Sequence, residues 1–391
     1  MTATTRTAPA GRRRVAVAGV ALSDCGRVDG ATPYALHAQA ARRALADSGL
    51  DRSLVDGLAS AGLGTLAPVE VAEYLGLRPT WLDSTSVGGA TWEVMAAHAA
   101  DAIAAGRARA VLLVYGSTAR ADIKARRRTA NLSFGARGPL QFEVPYGHTL
   151  VAKYAMAARR HMHEYGTTLE QLAEVAVRAR ANAALNPEAM FRTPITADEV
   201  LSGPMIADPF TKLHCCIRSD GGCAVLLAAE DYVKDLVKPP VWILGTGEHA
   251  SHTTMSEWED FTVSPAAVSG RLAFERAGVT PADIDVAEIY DAFTYMTLVT
   301  LEDLGFCPKG EGGAYFADES AVPVNTDGGG LSACHPGMRG LFLLVEAVRQ
   351  LRGEAPGHQV RRPDGSLPRL ALASGTGGWF CSSGTIVLGR E

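Results

Sequence analysis

Two stretches of this chain bring together residue types that could do chemistry. The first is Asn325-Thr-Asp-Gly-Gly-Gly-Leu-Ser-Ala-Cys-His-Pro-Gly-Met-Arg-Gly340. Gly328, Gly329 and Gly330 remove Cβ where backbone turns sharply or approaches something closely. His335 follows, beside the thiol of Cys334, at the mouth of an apolar helix running from Leu341 to Leu351. Histidine exchanges a proton near neutral pH, and a helix entrance favours developing negative charge. The second stretch, Glu288-Ile-Tyr-Asp-Ala-Phe293, sets Tyr290 beside Asp291, with Tyr295 shortly after. A phenol serves as acid or base when its neighbours adjust its pKa. Each of these residues has a plainer reading. Tyr290 could only tie a strand end to a loop, Tyr295 could pack on a helix face, and Asp291 could cap a helix before Ala292-Phe293. Cys334 could be a small apolar filler, and His335 a side chain bonded to backbone.

Other clusters carry less. His214, Cys215, Cys216 and Cys223 have no zinc-ligand spacing and read as the turn before a strand, so no metal is expected. Gly375 to Gly378 lacks the lysine of a nucleotide-triphosphate loop. Arg126, Arg127 and Arg128 could receive phosphates or an acidic partner surface, or simply be solvated. A net charge of −5 does not point to nucleic acid. Seven cysteines in no regular framework read as reduced thiols of a cytoplasmic protein. No run is long and apolar enough to span a membrane. With 47% hydrophobic and 20% charged residues, the 391-residue chain is a globular protein large enough for a double domain.

The elements that must position these residues repeat. Residues 1–14, rich in Thr, Ala and Arg, read as a disordered tail. A first half, 15–238, begins with the apolar run Val15 to Val20 and a helix from Pro33 to Ser48 closed by Gly49. Strands follow at Leu54 to Ser60 and Ala110 to Tyr115, with Asp83 to Thr91 opening a helix between them. An inserted region, about 117–215, holds helices near 148–164 and 168–184 and a loop-rich link from Thr193 to Asp208. Asp220 to Ala228 turns into a strand. After Lys238-Pro-Pro240 the order returns in a second half, 239–391. Val241 to Gly245 answers Val15 to Gly19, Ala266 to Gly278 answers 33–49, and Val286 to Tyr290 answers Leu54 to Ser60. The Gly-His-Pro turn with helix 341–351 answers Gly88-Gly89 with its helix, while Leu370 to Ser374 and Ser382 to Leu388 answer the last two strands. A duplicated α/β pattern of this kind would bring the buried helix entrances of both halves to one site.

That duplication, the Cys334-His-Pro-Gly turn and the closing Gly375-Thr-Gly-Gly378 resemble the thiolase superfamily. Glu288 to Phe293, Leu301-Glu-Asp-Leu-Gly-Phe-Cys-Pro-Lys-Gly-Glu311, Tyr165-Gly-Thr-Thr168, Phe191-Arg-Thr-Pro-Ile195 and Ser219-Asp-Gly-Gly222 are similar to its lipid-transfer or sterol-carrier-protein branch. Asp83 to Ser117 looks like the steroid side-chain-cleaving aldolases within that branch. The resemblance implies a thiolase fold: two βαβαβαββ halves in a five-layer αβαβα sandwich. It also implies a homodimer and an OB-fold partner protein associated with a hydratase.

The chemistry implied departs from acyl transfer. A thiolase keeps a nucleophilic cysteine at the first buried helix entrance, but Thr85-Ser-Val-Gly-Gly-Ala-Thr91 has none. The resemblance to the aldolases implies retro-aldol cleavage of a β-hydroxy steroid acyl-CoA to a 17-keto steroid and propionyl-CoA. Such a reaction needs a base, donors for a thioester enolate and an acid, but no covalent thiol. Tyr290 and His335 are the first candidates for acid, base and enolate contacts, with Tyr295, Cys334 and Asp291 in support. Gly88, Gly89, Gly377, Gly378 and the three arginines are candidates for substrate binding. No cofactor is expected beyond coenzyme A in substrate and product. The alternatives are a non-catalytic acyl-CoA or lipid-binding subunit and an acyltransferase with another nucleophile.

Overall fold

The computed structural model describes residues 13–64, 66–125, 138–147 and 149–391. The first half supplies β1 (Val15–Leu22), β2 (Val55–Ala59), β3 (Trp81–Asp83) and β4 (Ala110–Ser117). Its insertion carries the short pair β5 (Met205–Ala207) and β6 (Phe210–Thr211), and β7 (Gly221–Ala229) completes the half. The second half supplies β8 (Val241–Ala250), β9 (Val286–Ile289), β10 (Leu370–Gly377) and β11 (Ser382–Gly389).

The main sheet runs β3-β2-β4-β7-β1-β8-β11-β10-β9. The order is a mirrored repeat: β1 pairs with β8, β7 corresponds to β11, β4 to β10 and β2 to β9. Even β3 has an echo, because Val324 bridges Ala287 in parallel beside β9. The two half-sheets join at Ala16↔Trp242 and Val17↔Val241, so the sheet is continuous where the sequence pattern alone reads two. The strands of both halves are nearly all buried, which is why they read as unbroken apolar runs rather than alternating ones.

The helices form the remaining layers. Helix α1 (Pro33–Ser48) packs on β1, β4 and β7, and α2 (Ala67–Leu75) lies beside it. Helix α3 (Thr91–Ala104) belongs to the first half but packs on β10 and β11 of the second as well as on β4 and β7. The insertion folds as α4 (Ala119–Lys124), α5 (Leu150–Tyr165), α6 (Leu169–Leu185) and α7 (Ala197–Leu201). Thr168 opens α6 with a capping box closed by Gln171, and Thr196 opens α7 with one closed by Glu199. Helix α7 lies inside the stretch that reads as a loop-rich link. In the second half, α8 (Ala266–Ala277) covers β8 and β11, α9 (Thr294–Asp303) follows β9, and α10 (Gly312–Ala317) is short. Helix α11 (Gly340–Arg352) packs on β1, β7, β9 and β10, so α3 and α11 form the middle layer between the two half-sheets.

The tail expected over 1–14 falls largely outside the described residues. Residues 1–12 lie outside them, but Arg14 is held in place. Its carbonyl accepts from the Glu230 N–H at 3.0 Å and its guanidinium sits 3.8 Å from the Trp242 ring centroid.

Candidate active site

Strand β9 delivers Tyr290. The strand runs parallel to β10 with Ile289 opposite Ser374, and the Tyr290 N–H continues the ladder to the Ser374 carbonyl at 3.0 Å. The phenol then meets His335, with Oη 3.1 Å from Nε2 and the ring planes at 85°. Both side chains are buried. Burial raises the Tyr290 pKa well above the usual phenol range, helped by the nearby Cys216 thiol and Tyr115 phenol. Burial lowers His335 to about 4, and the Arg339 guanidinium pushes in the same direction. At neutral pH the pair is therefore a phenol and a neutral imidazole, joined by one hydrogen bond.

The glycine pairs converge on this pair. Before α3 the chain makes a tight turn over Gly88–Ala90, with Gly88 at φ 79°. A Cβ on Gly89 would stand 2.4 Å from the Tyr290 ring and 2.3 Å from the Thr376 carbonyl oxygen. A Cβ on Gly88 would stand 2.7 Å from the Gly378 nitrogen and 2.8 Å from the Gly377 Cα. Side chains are excluded here so that the entrance of α3, the end of β10 and the Tyr290 ring can pack together. The first turn of a helix leaves main-chain N–H groups without partners inside the helix, and these can hold a developing oxyanion.

The turn before α11 is fixed from beneath by charge. Asp291 accepts from the N–H groups of Gly330 at 2.7 Å and Leu331 at 3.2 Å. It is therefore a capping carboxylate, but for the π turn Gly329–Ala333 rather than for α9, whose cap position is Phe293. Arg339, fully buried, grips Asp327 at 2.6 and 2.7 Å and donates to the Cys334 carbonyl at 2.8 Å. Its Nε lies 3.6 Å from Asp291. Burial raises Asp291 to about 7 despite this cation and the two N–H donors. Neither Arg339 nor Asp327 stands out in the sequence. The paired charges sit in an apolar pattern whose local signal is only a glycine turn.

Other expected site residues lie elsewhere. Tyr295 is a buried residue of α9 whose hydroxyl donates to the Phe261 carbonyl at 3.2 Å. Its ring packs edge-on against His161 and Phe380. Cys334 is buried in the apolar core, and its sulfur lies 3.1 Å from the Ser219 hydroxyl. Arg126, Arg127 and Arg128 fall outside the described residues. No group of histidine, cysteine and carboxylate side chains able to hold a metal occurs among the described residues. No described helix is long and apolar enough to cross a membrane.

With this geometry in view, comparison with known proteins places the chain. Residues 247–390 match the family described as "Thiolase C-terminal domain-like". The chain is 32% identical over 380 residues to 17-hydroxy-3-oxo-4-pregnene-20-carboxyl-CoA lyase of Mycobacterium tuberculosis, covering 93% of this chain and 97% of that one. It belongs to the thiolase superfamily. It is also 39% identical over 245 residues to an acetyl-CoA acetyltransferase of Methanothermobacter thermautotrophicus, a match spanning 61% of this chain and 63% of that one. Among solved structures, the Ltp2-ChsH2(DUF35) aldolase superposes with a TM-score of 0.84 at 30% identity, covering 96% of this chain and 97% of that one. The thiolase fold explains why the entrances of α3 and α11 face one another: each half contributes one helix to the shared middle layer.

Proposed function

We propose that this protein is a carbon–carbon lyase that cleaves a β-hydroxy acyl-CoA by a retro-aldol reaction, with a hydroxylated steroid side chain as the acyl group. The observation that carries the reading is the Tyr290–His335 pair, 3.1 Å apart and buried against Gly89 at a helix entrance. That entrance, Asp83 to Thr91, has no thiol for acyl transfer. The full-length likeness to a steroid acyl-CoA lyase supports the substrate class.

The chemistry needs one proton moved from oxygen to carbon. The substrate β-hydroxyl gives its proton to Tyr290 Oη as the Tyr290 proton passes to His335 Nε2. The Cα–Cβ bond breaks, its electrons enter the thioester as an enolate, and the hydroxyl carbon becomes a ketone. Main-chain N–H groups at Gly88–Ala90 hold the enolate oxygen. The pair then returns the proton to the α-carbon, and a 17-keto steroid and propionyl-CoA leave. A neutral His335 suits this role because its Nε2 lone pair is open to accept.

The same reading gives a cytoplasmic homodimer whose copies meet along β3, the sheet edge where Leu82 is exposed. It also includes an OB-fold partner protein, a reading supported by the similar aldolase structure, in which Ltp2 is named together with ChsH2(DUF35). The test is a cleavage assay on a β-hydroxy steroid acyl-CoA, with and without that partner, with both products read by mass. Tyr290→Phe should lower turnover by about 10²–10⁴-fold, the usual worth of a positioned acid or base. Saturable binding of the CoA ester without either product would instead make the chain a binding subunit.

A further inference from the structure

We infer that Cys25 and Cys334 form a redox modification site, a dithiol that closes to a disulfide and thereby loosens the backbone that carries His335. The two residues are remote in sequence and meet beneath Gly221. A Cβ at Gly221 would stand 2.8 Å from Cys25 Sγ and 3.2 Å from Cys334 Sγ, so glycine leaves the space in which the sulfurs face each other. Both cysteines are free. Cys25 lines an open cleft of about 1100 Å³ between Arg43, Asp47, Glu188 and Arg349, which gives a small oxidant access to Cys25, with Cys334 buried behind it.

One hydroxyl links the pair to the candidate active site. Ser219 Oγ lies 3.1 Å from Cys334 Sγ and accepts from the His335 N–H at 2.9 Å. Burial alone would raise the Cys334 thiol, but the Cys25 thiol, the Ser219 hydroxyl and the Arg339 guanidinium together bring it below its ordinary value. A thiolate is the reactive form of cysteine, so Cys334 is the more readily ionised thiol, while the neighbouring Cys334 side chain and burial hold the Cys25 thiol well above its ordinary value.

The oxidant is a peroxide. It converts one thiol of the pair to a sulfenic acid and leaves as water. The second thiol attacks that sulfur, the S–S bond forms, and a second water departs. Two thiols and one peroxide thus give one disulfide and two waters. The disulfide draws Cys334 Sγ from Ser219 and disturbs the hydroxyl that holds the His335 amide.

The test does not depend on the lyase reading, because it reads a cross-link and an amide. The full chain is treated with an equimolar amount of hydrogen peroxide, alkylated with iodoacetamide under denaturing conditions and digested without reduction. The expected product is a peptide pair joined through Cys25 and Cys334, released by dithiothreitol, while Cys215, Cys216, Cys223, Cys307 and Cys381 carry the alkyl label. Amide hydrogen exchange at His335 should be faster in the oxidised chain, and Cys25→Ser or Cys25→Ala should abolish both changes. Alkyl label on both Cys25 and Cys334 after peroxide, or a cross-link from Cys334 to Cys223, would overturn the site. Unchanged His335 exchange in the cross-linked chain would overturn its coupling to the backbone there.

Discussion

Replacing Glu93 by glutamine would isolate the cost of a carboxylate buried in the middle layer. Glu93 lies in the first turn of α3 and is 1% exposed. Neither of its oxygens finds a hydrogen bond among the described residues. Cβ atoms on Gly340 and Gly375 would fall 2.5 and 2.1 Å from its Oε2, so two glycines make room for the carboxyl. Burial raises its pKa from 4.5 to about 8. Between those values the folded chain keeps a proton that the unfolded chain releases. Stability therefore falls as pH rises through that window and levels off above pH 8. At 1.36 kcal/mol per unit the full fall is about 5 kcal/mol. The Glu93→Gln variant has no such proton to lose, so it should lack this fall. Its new amide would leave buried donors unpaired, a cost of about 1–3 kcal/mol at every pH. The variant should melt below the parent at pH 5 and above it at pH 9, the gap swinging by several degrees. Calorimetric melts of both proteins across pH 5 to 9 decide the matter, since every other titration is common to the two. Parallel curves would refute the reasoning and mean that Glu93 is ionised in the fold.

Gly89→Ala puts a methyl group into the Tyr290 ring and the Thr376 carbonyl, so it should cost about 1–3 kcal/mol in melting experiments and lower turnover together with it. Tyr295→Phe keeps the ring and loses only the bond to Phe261, so stability should drop by about 1 kcal/mol with turnover unchanged. A loss of turnover as large as that of Tyr290→Phe would return Tyr295 to the site. Because His335 is held near 4, below its ordinary 6.5, the acid limb of turnover should fall near pH 4. Below that point Nε2 is protonated and no longer accepts from Tyr290. An acid limb at 6.5 that disappears in His335→Gln would show that the fold does not exclude the charge.

Much of the architecture is legible in the sequence because the chain states it twice. The opening strands, the glycine-closed helices and the paired glycine turns recur in the same order, and the main sheet repeats that order about β1 and β8. Tyr290, His335, Gly88, Gly89, Gly377 and Gly378 are legible as neighbours for the same reason, since equivalent steps of the two halves face one another. Cys25 is not, because its partner lies across the whole length of the chain and no periodicity links them. The charges are missed for a physical reason. On an ordinary helix a charge marks the face turned to water. Helices α3 and α11 have sheet on both sides, so the charged residues they turn inward are enclosed, whereas Asp101 near the end of α3 is exposed. Glu93 and Glu346 are both buried, and burial raises Glu346 to about 7 beside the Thr326 hydroxyl and the Gln350 amide that bond it. Glu288 reaches the same Thr326 hydroxyl at 2.8 Å. Three carboxyls and Asp327 thus share a middle layer with Arg339, a fully buried cation. Burial in this layer favours the protonated forms of Glu93, Glu288 and Glu346, and the layer surrounds a tyrosine–histidine pair whose proposed work is to move a proton.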